Sequence, residues 1–180
     1  EARGRQIRCP RGCRIRPTAD RIKESLFALL DPVEGAYFLD LFAGCGNVGL
    51  EALSRGAQRS VFVESAPLLC DAIRSNLRLL GWEDRGEVIA ADAKRGVMRL
   101  AQRGEEFDIL FADPPYEKGH LSEIMQLLES QGVMAANGIV VVQHSLREPL
   151  EGVHAGTMVL ADQRRYGDTL LSFLKKRSEE

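Results

Sequence analysis

The chain has 180 residues and a mass of 19.9 kDa, which is enough for one domain with a core of its own. Hydrophobic residues make up 44% of the chain and charged residues 28%, a composition typical of globular proteins. No apolar run approaches the roughly 18 residues of a membrane-spanning helix, and no signal-peptide pattern is present, so we expect a cytoplasmic protein.

Positive charge is concentrated at the start of the chain. Residues 1–23 contain eight basic and two acidic residues, a net charge of +6, whereas the rest contains 16 basic and 24 acidic residues, a net charge of −8. A basic arm on an acidic body can bind phosphates by releasing their counterions, although a solubilising tail would have the same charge. We predict a basic extension over residues 1–16 and a single domain over residues 17–180. The candidate phosphate contacts are Arg3, Arg5, Arg8 and Arg16.

Four cysteines are spread along the chain, at Cys9, Cys13, Cys45 and Cys70. Cys9 and Cys13 could form half of a zinc site, but no second pair of Cys or His residues lies near them in sequence. We therefore predict no metal site, and we expect the cysteines to be reduced thiols of a cytoplasmic protein.

Alternating helices and strands are predicted along the chain. Helical spacing of apolar residues predicts a first helix that starts at Pro17-Thr18, where Thr18 can cap it, and ends at Asp31-Pro32. Five apolar strands are predicted at 37–42, 60–64, 88–91, 107–112 and 139–143. Helices are predicted from the glycine-rich turn to residue 53 and over 67–80, 93–102 and 121–130. Two further strands, 157–160 and 169–174, are joined by a polar turn.

This alternation predicts the fold class. The five strands are continuous apolar runs, as expected when helices cover both faces of a parallel sheet. We therefore predict an α/β, Rossmann-like fold with a mostly parallel seven-stranded sheet, helices on both faces and a C-terminal antiparallel hairpin.

A glycine-rich turn connects the first strand to the next helix. Gly44, Gly46 and Gly49 satisfy the pattern G-x-G-x-x-G, in which glycines let the chain turn tightly and let a ligand approach the backbone. This pattern alone fits a dinucleotide, S-adenosylmethionine or merely a tight turn. Phe42 and Asn47 belong to the same segment and are candidate cofactor contacts.

Carboxylates lie within, at the end of, or directly after three successive strands. Glu64 ends the second strand, where it can accept hydrogen bonds from both ribose hydroxyls of a cofactor, and Asp92 follows the third strand, where it can reach an adenine amine. Asp40 lies inside the apolar first strand, where desolvation of a carboxylate is costly, so it is expected to order the glycine turn or contact the cofactor. Three carboxylates in these places favour a nucleoside-containing cofactor over a tight turn.

The tetrapeptide Asp113-Pro114-Pro115-Tyr116 follows the fourth strand. An exocyclic amine of a nucleobase is a poor nucleophile because its lone pair is delocalised into the ring. The Asp113 carboxylate and the Pro114 carbonyl can accept its N–H groups and return electron density to nitrogen, and prolines hold that carbonyl rigidly. Tyr116 offers a flat face on which the base can stack. The pattern therefore indicates methyl transfer to a base amine, with positioning as the main contribution to the rate.

Several segments together carry a resemblance to a known family. They are Arg16–Arg21, Leu26-Phe27, Asp40–Ala57, Phe62–Glu64, Asp113–Tyr116 and Tyr166–Thr169. Asp113–Tyr116 is similar to the amino-methyltransferase signature, whose first position is Asp, Asn or Ser. The whole chain past residue 15 resembles the RsmD-like family, class I S-adenosylmethionine-dependent methyltransferases that act on the N2 of a guanine in bacterial 16S ribosomal RNA. The chain departs from the family pattern at Cys45-Gly46-Asn47, where Ser-Gly-Ala or Ser-Gly-Ser is frequent.

The resemblance implies roles for individual residues. Gly44, Gly46 and Asn47 would line the cofactor loop, Glu64 would hold the ribose, and Asp92 and Ala93 would flank the adenine. The tetrapeptide from Asp113 to Tyr116 would form the catalytic loop. Thr18 and Arg21 would lie near the cofactor or the RNA. The implied cofactor is S-adenosylmethionine, and the implied partner is ribosomal RNA in the assembling or assembled small subunit, for which a monomer is sufficient.

Three alternatives remain open at the level of the residues. The first is an adenine-N6 or other base-amine methyltransferase that acts on DNA or another RNA, since the tetrapeptide does not distinguish these substrates. The second is an NAD-dependent oxidoreductase, which the glycine spacing permits but which leaves Asp113–Tyr116 without a role. The third is a non-catalytic RNA-binding protein, against which the intact Asp113 and glycine loop argue.

Overall fold

A computed structural model describes residues 7–10, 17–115, 120–148, 150 and 157–177, with only the backbone for residues 17–19. The helices are α1 (Pro17–Leu30), α2 (Asn47–Ser54), α3 (Pro67–Leu80), α4 (Ala93–Gln102) and α5 (His120–Gln131). The strands are β1 (Tyr37–Leu41), β2 (Arg59–Glu64), β3 (Gly86–Ala90), β4 (Phe107–Ala112), β5 (Met134–Ser145), β6 (Met158–Tyr166) and β7 (Thr169–Lys176). Within these ranges, no helix has the length and apolar character needed to span a membrane.

All seven strands form one sheet in the order β3-β2-β1-β4-β5-β7-β6. The first five strands of this order are parallel, and β7 pairs antiparallel with both β5 and β6. The predicted Rossmann-like sheet with a C-terminal antiparallel hairpin is therefore confirmed. The chain runs outward from β1 to β3 and then returns to β4 beside β1, which creates a switch point where ligands bind in open α/β sheets.

Strand residues point alternately to the two faces of the sheet, and both faces are packed with apolar residues. On one face, Phe38, Phe111 and Val141 pack with α1 through residues that include Leu26 and Phe27. On the other face, the intervening strand residues pack against α4 and α5; they include Leu39, Leu110 and Val140. Because alternate residues of a strand point to opposite faces, the face on which a polar strand-end residue lies follows from its position in this series.

Several element boundaries differ from the sequence prediction. β5 begins at Met134 and ends at Ser145, five residues earlier and two residues later than predicted, and β6 continues to Tyr166 instead of ending at residue 160. Most of β6 is exposed or half-buried, because it is the edge strand, so its polar residues hide the strand pattern. α1 begins at Pro17, so Thr18 lies within its first turn instead of preceding it as a cap.

Gly49 is required where α2 crosses β2. A Cβ atom at this position would lie 2.3 Å from Phe62 Cε1 and 2.7 Å from Ser60 Oγ, and both side chains are fully buried. We expect Gly49→Ala to lower the free energy of unfolding by about 2–3 kcal/mol, since the rigid Phe62 ring has no space to move. Thermal unfolding should show a loss of about 5–10 °C for a chain of this size.

The control for this prediction is Ser54→Ala, in the same helix at an exposed position. It should change the free energy of unfolding by less than about 0.5 kcal/mol. Equal melting temperatures for Gly49→Ala and the wild type would show that the packing between α2 and β2 is not crowded.

Candidate active site

A cavity of about 660 Å³ opens at the carboxyl edge of the sheet, under the first half of α1. It lies at the switch point between β1 and β4, where the topology places a ligand site. Its polar lining residues come from α1, from the turn after β1, and from the ends of β2, β4 and β5. They include Asp20, Lys23, Asp40, Asn47, Glu64, Ser65, Asp113 and Gln143.

The turn between β1 and α2 takes its shape from positive φ angles. Gly44 and Gly46 have φ angles of 58° and 79°, and Gly46 is the residue that precedes α2. Phe42 also has a positive φ angle of 63°, a conformation that is uncommon for a residue with a bulky side chain. Phe42, Gly44 and Asn47 line the cavity, whereas Gly46 is buried and does not line it.

Glu64 joins this turn to the start of α3. Its Oε2 accepts a hydrogen bond from the Gly44 N–H at 2.8 Å, and its Oε1 accepts one from the Ala66 N–H at 2.8 Å. Each carboxylate oxygen has a second lone pair, so the side chain can still accept hydroxyl groups from a ligand in the cavity. Glu64 therefore orders the turn in addition to the ribose contact that the sequence predicts.

Asp40 is buried in the floor of the cavity. Its Oδ2 accepts a hydrogen bond from the Gly49 N–H at 2.9 Å, which ties β1 to α2. Burial raises the pKa of Asp40 from 3.8 to about 7, the Gly49 hydrogen bond opposes this shift, and the nearby charges of Asp113 and Glu64 add to it. With Asp20, four carboxyl groups therefore share one cavity, which favours a ligand that carries positive charge.

The predicted catalytic segment reaches the same cavity from the end of β4. Asp113, Pro114 and Pro115 all line it, with Asp113 half-buried and Pro114 buried. Tyr116 lies outside the described residues. The glycine turn and the tetrapeptide therefore meet in one site, as expected from neighbouring parallel strands.

Asp92 and Ala93 do not line the cavity. Asp92 caps α4, and its Oδ1 accepts a hydrogen bond from the Arg95 N–H at 2.9 Å. Ala93 is the first residue of that helix and is buried in the core. Asp92 therefore caps the start of α4, a role that the sequence did not predict.

The predicted RNA contacts are separated in the structure. Arg8 is exposed, and its backbone N–H and carbonyl pair with the buried Asn76 side chain at 2.9 Å each. Arg21 lies beside a second, open depression between α1 and the turn from β6 to β7. Arg3, Arg5 and Arg16 lie outside the described residues, and only the backbone of Thr18 is described.

The expectation that all cysteines are reduced is wrong for Cys9 and Cys45, which form a disulfide with Cα atoms 5.7 Å apart. The pairing of Arg8 with Asn76 holds the N-terminal segment against α3, and this brings Cys9 over the glycine turn. Cys70 is a buried free thiol, and Cys13 lies outside the described residues. Among the described residues, no group of three His, Cys, Asp or Glu side chains could hold a metal ion.

Several cavity residues do not follow from the sequence patterns. Lys23 and Asp20 reach the cavity because α1 packs across the sheet, and Lys23 also forms an ion pair with Glu51 at 3.8 Å. Ser65 directly follows β2, and Gln143 lies two residues before the end of β5, at the end of the apolar run from which the strand was predicted. The signal that could have found Gln143 is its place at the end of an apolar strand, the same signal that marked Asp113.

Comparison with known proteins gives the family. The chain matches the family model described as Conserved hypothetical protein 95 over residues 1–175. YlbH of Bacillus subtilis (strain 168), to which an rRNA methyltransferase activity is ascribed, is 34% identical over 176 residues, which cover 97% of this chain and 95% of YlbH. The chain belongs to this family, the RsmD-like methyltransferases. Ribosomal RNA small subunit methyltransferase D of Escherichia coli (strain K12) is 37% identical over 154 residues, which cover 85% of this chain and 76% of that protein.

Solved structures agree with this assignment. The candidate methyltransferase yhhF from Escherichia coli superposes with a TM-score of 0.85 at 30% identity, covering 98% of this chain and 94% of yhhF. Methyltransferases of this family take their methyl group from S-adenosylmethionine, so the cofactor predicted from the sequence is confirmed. The oxidoreductase and non-catalytic alternatives lose their support.

The residues of the cavity fit this cofactor. The glycine turn brings backbone N–H groups to the ligand, and the carboxyl groups of Asp40, Glu64 and Asp113 complement the positive charge of a sulfonium. Lys23 adds a cation that can pair with a ligand carboxylate. Glu64 also lines the cavity, and it remains the residue that the sequence predicts to accept the ribose hydroxyls.

We expect Glu64→Ala to raise the Kd for S-adenosylmethionine about 10- to 100-fold, the loss associated with hydrogen bonds to a charged group. Isothermal titration calorimetry measures this change directly. Glu83→Ala removes an exposed carboxylate that follows α3, pairs with Arg78 and does not line the cavity, so it should leave the Kd unchanged. An unchanged Kd in Glu64→Ala would remove Glu64 from the cofactor site.

Proposed function

We propose that the protein methylates the exocyclic N2 amine of a guanine in bacterial 16S ribosomal RNA. The observation that carries this proposal is the meeting of Asp113 and Pro114 with the glycine turn in one cavity. Relatives named as small-subunit rRNA methyltransferases support the RNA as substrate, and the resemblance of Asp113–Tyr116 to the amino-methyltransferase signature supports an amine as acceptor.

The proposed catalytic groups act on the acceptor amine. The Asp113 carboxylate and the Pro114 carbonyl accept its two N–H groups, which localises the lone pair on nitrogen. Two consecutive prolines fix the direction of the Pro114 carbonyl, and Pro114 itself is buried, so the acceptor is held before the base arrives. Asp113 takes the proton that the amine releases after methylation, and Tyr116 stacks on the base.

The bound cofactor supplies an electrophilic methyl group on a sulfonium. The chain's own residues hold and shield it: Glu64 binds the ribose, and Ile22 and Leu26 of α1 cover the cavity. Asp40 fixes the turn through Gly49, so the floor of the cavity is set before binding. Positioning is therefore the main contribution of the protein to the rate.

We further propose that the protein acts as a monomer in the cytoplasm, on the assembling or assembled small subunit. The test is transfer of labelled methyl from S-adenosylmethionine to small-subunit particles that lack the modification, with free 16S RNA and DNA in parallel. Label on the particle or free RNA is the expected result. Label on DNA alone would favour the alternative of a DNA base-amine methyltransferase.

The basic extension over residues 1–16 is proposed to dock on phosphates, with Arg16, Thr18 and Arg21 continuing the interface into α1. Replacing Arg3, Arg5 and Arg8 with alanine should raise the Kd for RNA and lower the slope of log K against log salt by about 2–3, roughly one unit for each phosphate that is no longer neutralised. Filter binding between low and moderate salt measures this slope. An unchanged slope would remove the extension from the interface.

A further inference from the structure

Gln143 is a polar residue of the cavity to which the proposed mechanism gives no role so far. It lies in β5 and lines the cavity together with Asp113 and Pro114. We propose that Gln143 reads the acceptor base, and that its side-chain amide binds the N1–H and O6 groups of the guanine whose N2 amine Asp113 holds. The inference rests on the proposed function and adds a specificity-determining residue to it.

The register of the sheet makes Gln143 the neighbour of Asp113. β4 and β5 are parallel and pair Ala112 with Val142, so the next residue of each strand lies at the same carboxyl edge. Neighbouring strands are about 4.8 Å apart. Two acceptor or donor side chains at this spacing can contact successive groups along the edge of one planar base.

The alternation of the strands places both side chains on the same face. Phe111 and Val141 belong to the core beneath α1, and the residues that follow them, Ala112 and Val142, belong to the core on the other face. One step further, Asp113 and Gln143 return to the α1 face, where the cavity is. Asp40 lies on this face as well, because it pairs with Phe111.

The strand ends therefore form an ordered row across the cavity. In the order β2, β1, β4 and β5, the row contains Glu64, Asp40, Asp113 and Gln143. Glu64 marks the end that holds the cofactor ribose, and Asp113 marks the reacting amine. Gln143 lies beyond Asp113, on the side away from the cofactor, where the remainder of an acceptor base would lie.

The next residue, His144, anchors the end of β5 from the opposite face. Its Nε2 lies 2.8 Å from Ser172 Oγ of β7, and its Nδ1 lies 2.9 Å from the Glu148 carbonyl. Burial lowers the pKa of His144, so the ring is neutral near pH 7, with an Nδ1–H donor and an Nε2 acceptor. This buried network fixes the backbone from which Gln143 projects.

The chemistry of an amide matches the edge of guanine. The Gln143 carbonyl oxygen can accept the N1–H group, and its NH₂ group can donate to O6. 2-Aminopurine carries the same amine at position 2 but lacks O6, and its N1 is an acceptor instead of a donor. A site that binds these groups therefore discriminates against 2-aminopurine, because its own polar groups would be left unpaired.

The experiment compares the wild type with Gln143→Leu, Gln143→Asn and, as a matched control, Gln126→Leu at an exposed position of α5. The substrates are small-subunit particles reconstituted with one of two RNAs. At the nucleotide that the wild type methylates, one RNA has guanine as its base and the other has 2-aminopurine. The readouts are kcat/KM for both substrates and the Kd of both RNAs without cofactor. Thermal unfolding verifies that each variant is folded.

The wild type should prefer guanine by about 10- to 100-fold, the discrimination typical of a two-point base contact. Gln143→Leu should abolish this preference in both readouts, while its Kd for S-adenosylmethionine stays unchanged. Gln143→Asn should show a smaller preference for guanine than the wild type. Gln126→Leu should retain the wild-type preference.

A preference for guanine that persists in Gln143→Leu would overturn the inference and leave the proposed function intact. If Gln143→Leu does not fold, a preference in Gln143→Asn as large as that of the wild type would have the same meaning. A wild type that makes no N2-methylguanosine would overturn both.

Discussion

Replacing Asp113 with alanine is expected to lower kcat about 10²- to 10³-fold, the cost of removing one positioned group from a transition state. The amine would lose the acceptor that localises its lone pair and takes its proton. The Kd for S-adenosylmethionine should change little, because Glu64 and the glycine turn, the cofactor contacts that we propose, are separate from Asp113. Single-turnover methyl transfer and calorimetry measure the two quantities separately.

Asp108 provides a control from the same strand. It is exposed at the opposite end of β4, where its Oδ2 accepts a hydrogen bond from the Tyr37 N–H at 2.8 Å. Asp108→Ala should leave kcat within about twofold of the wild type, since it lies outside the cavity. Wild-type turnover in Asp113→Ala would refute the proposed mechanism.

The second large effect is a pH dependence of stability that originates at Asp40. Its pKa is about 7 in the folded protein against 3.8 in the unfolded chain, so the folded state binds the proton more tightly. The contribution of Asp40 is therefore complete below pH 3.8 and is lost as the pH rises to 7. The free energy of unfolding should fall by about 4 kcal/mol over this window, at 1.36 kcal/mol for each unit of pKa.

Asp40→Asn should remove this dependence while keeping an oxygen for the Gly49 N–H. Urea unfolding between pH 4 and pH 8 gives the slope of the free energy of unfolding against pH for the variant and the wild type. His144 makes an opposite contribution, which is lost as the pH falls below 6.5. This contribution cancels in the comparison because both proteins contain His144. Asp108→Asn should follow the wild type. Parallel curves for Asp40→Asn and the wild type would show that folding does not raise the pKa of Asp40.

Much of the fold and part of the candidate site follow from local sequence patterns. Continuous apolar runs such as 107–112 identify parallel strands, because both faces of those strands are covered. The strand-end residues Glu64 and Asp113 were placed by the rule that parallel strands end at one edge, and the structure brings both to one cavity.

Other features depend on contacts between distant segments. The approach of Cys9 to Cys45 results from the pairing of Arg8 with Asn76, 68 residues away in sequence, which no local pattern indicates. Lys23 reaches the cavity because α1 crosses the sheet near its carboxyl edge, and the sequence of α1 alone does not determine where the helix crosses. β6 is longer than its apolar pattern predicts, because an edge strand does not need alternating apolar residues to be stable in the sheet.

The most direct test of the central claim is the identity of the methylated nucleoside. Particles labelled by the wild type are digested to nucleosides, which are separated and identified by mass and retention. We predict N2-methylguanosine, with the label absent after Asp113→Ala. N6-methyladenosine in its place would retain the chemistry of Asp113 and contradict the assignment of guanine N2 as the acceptor.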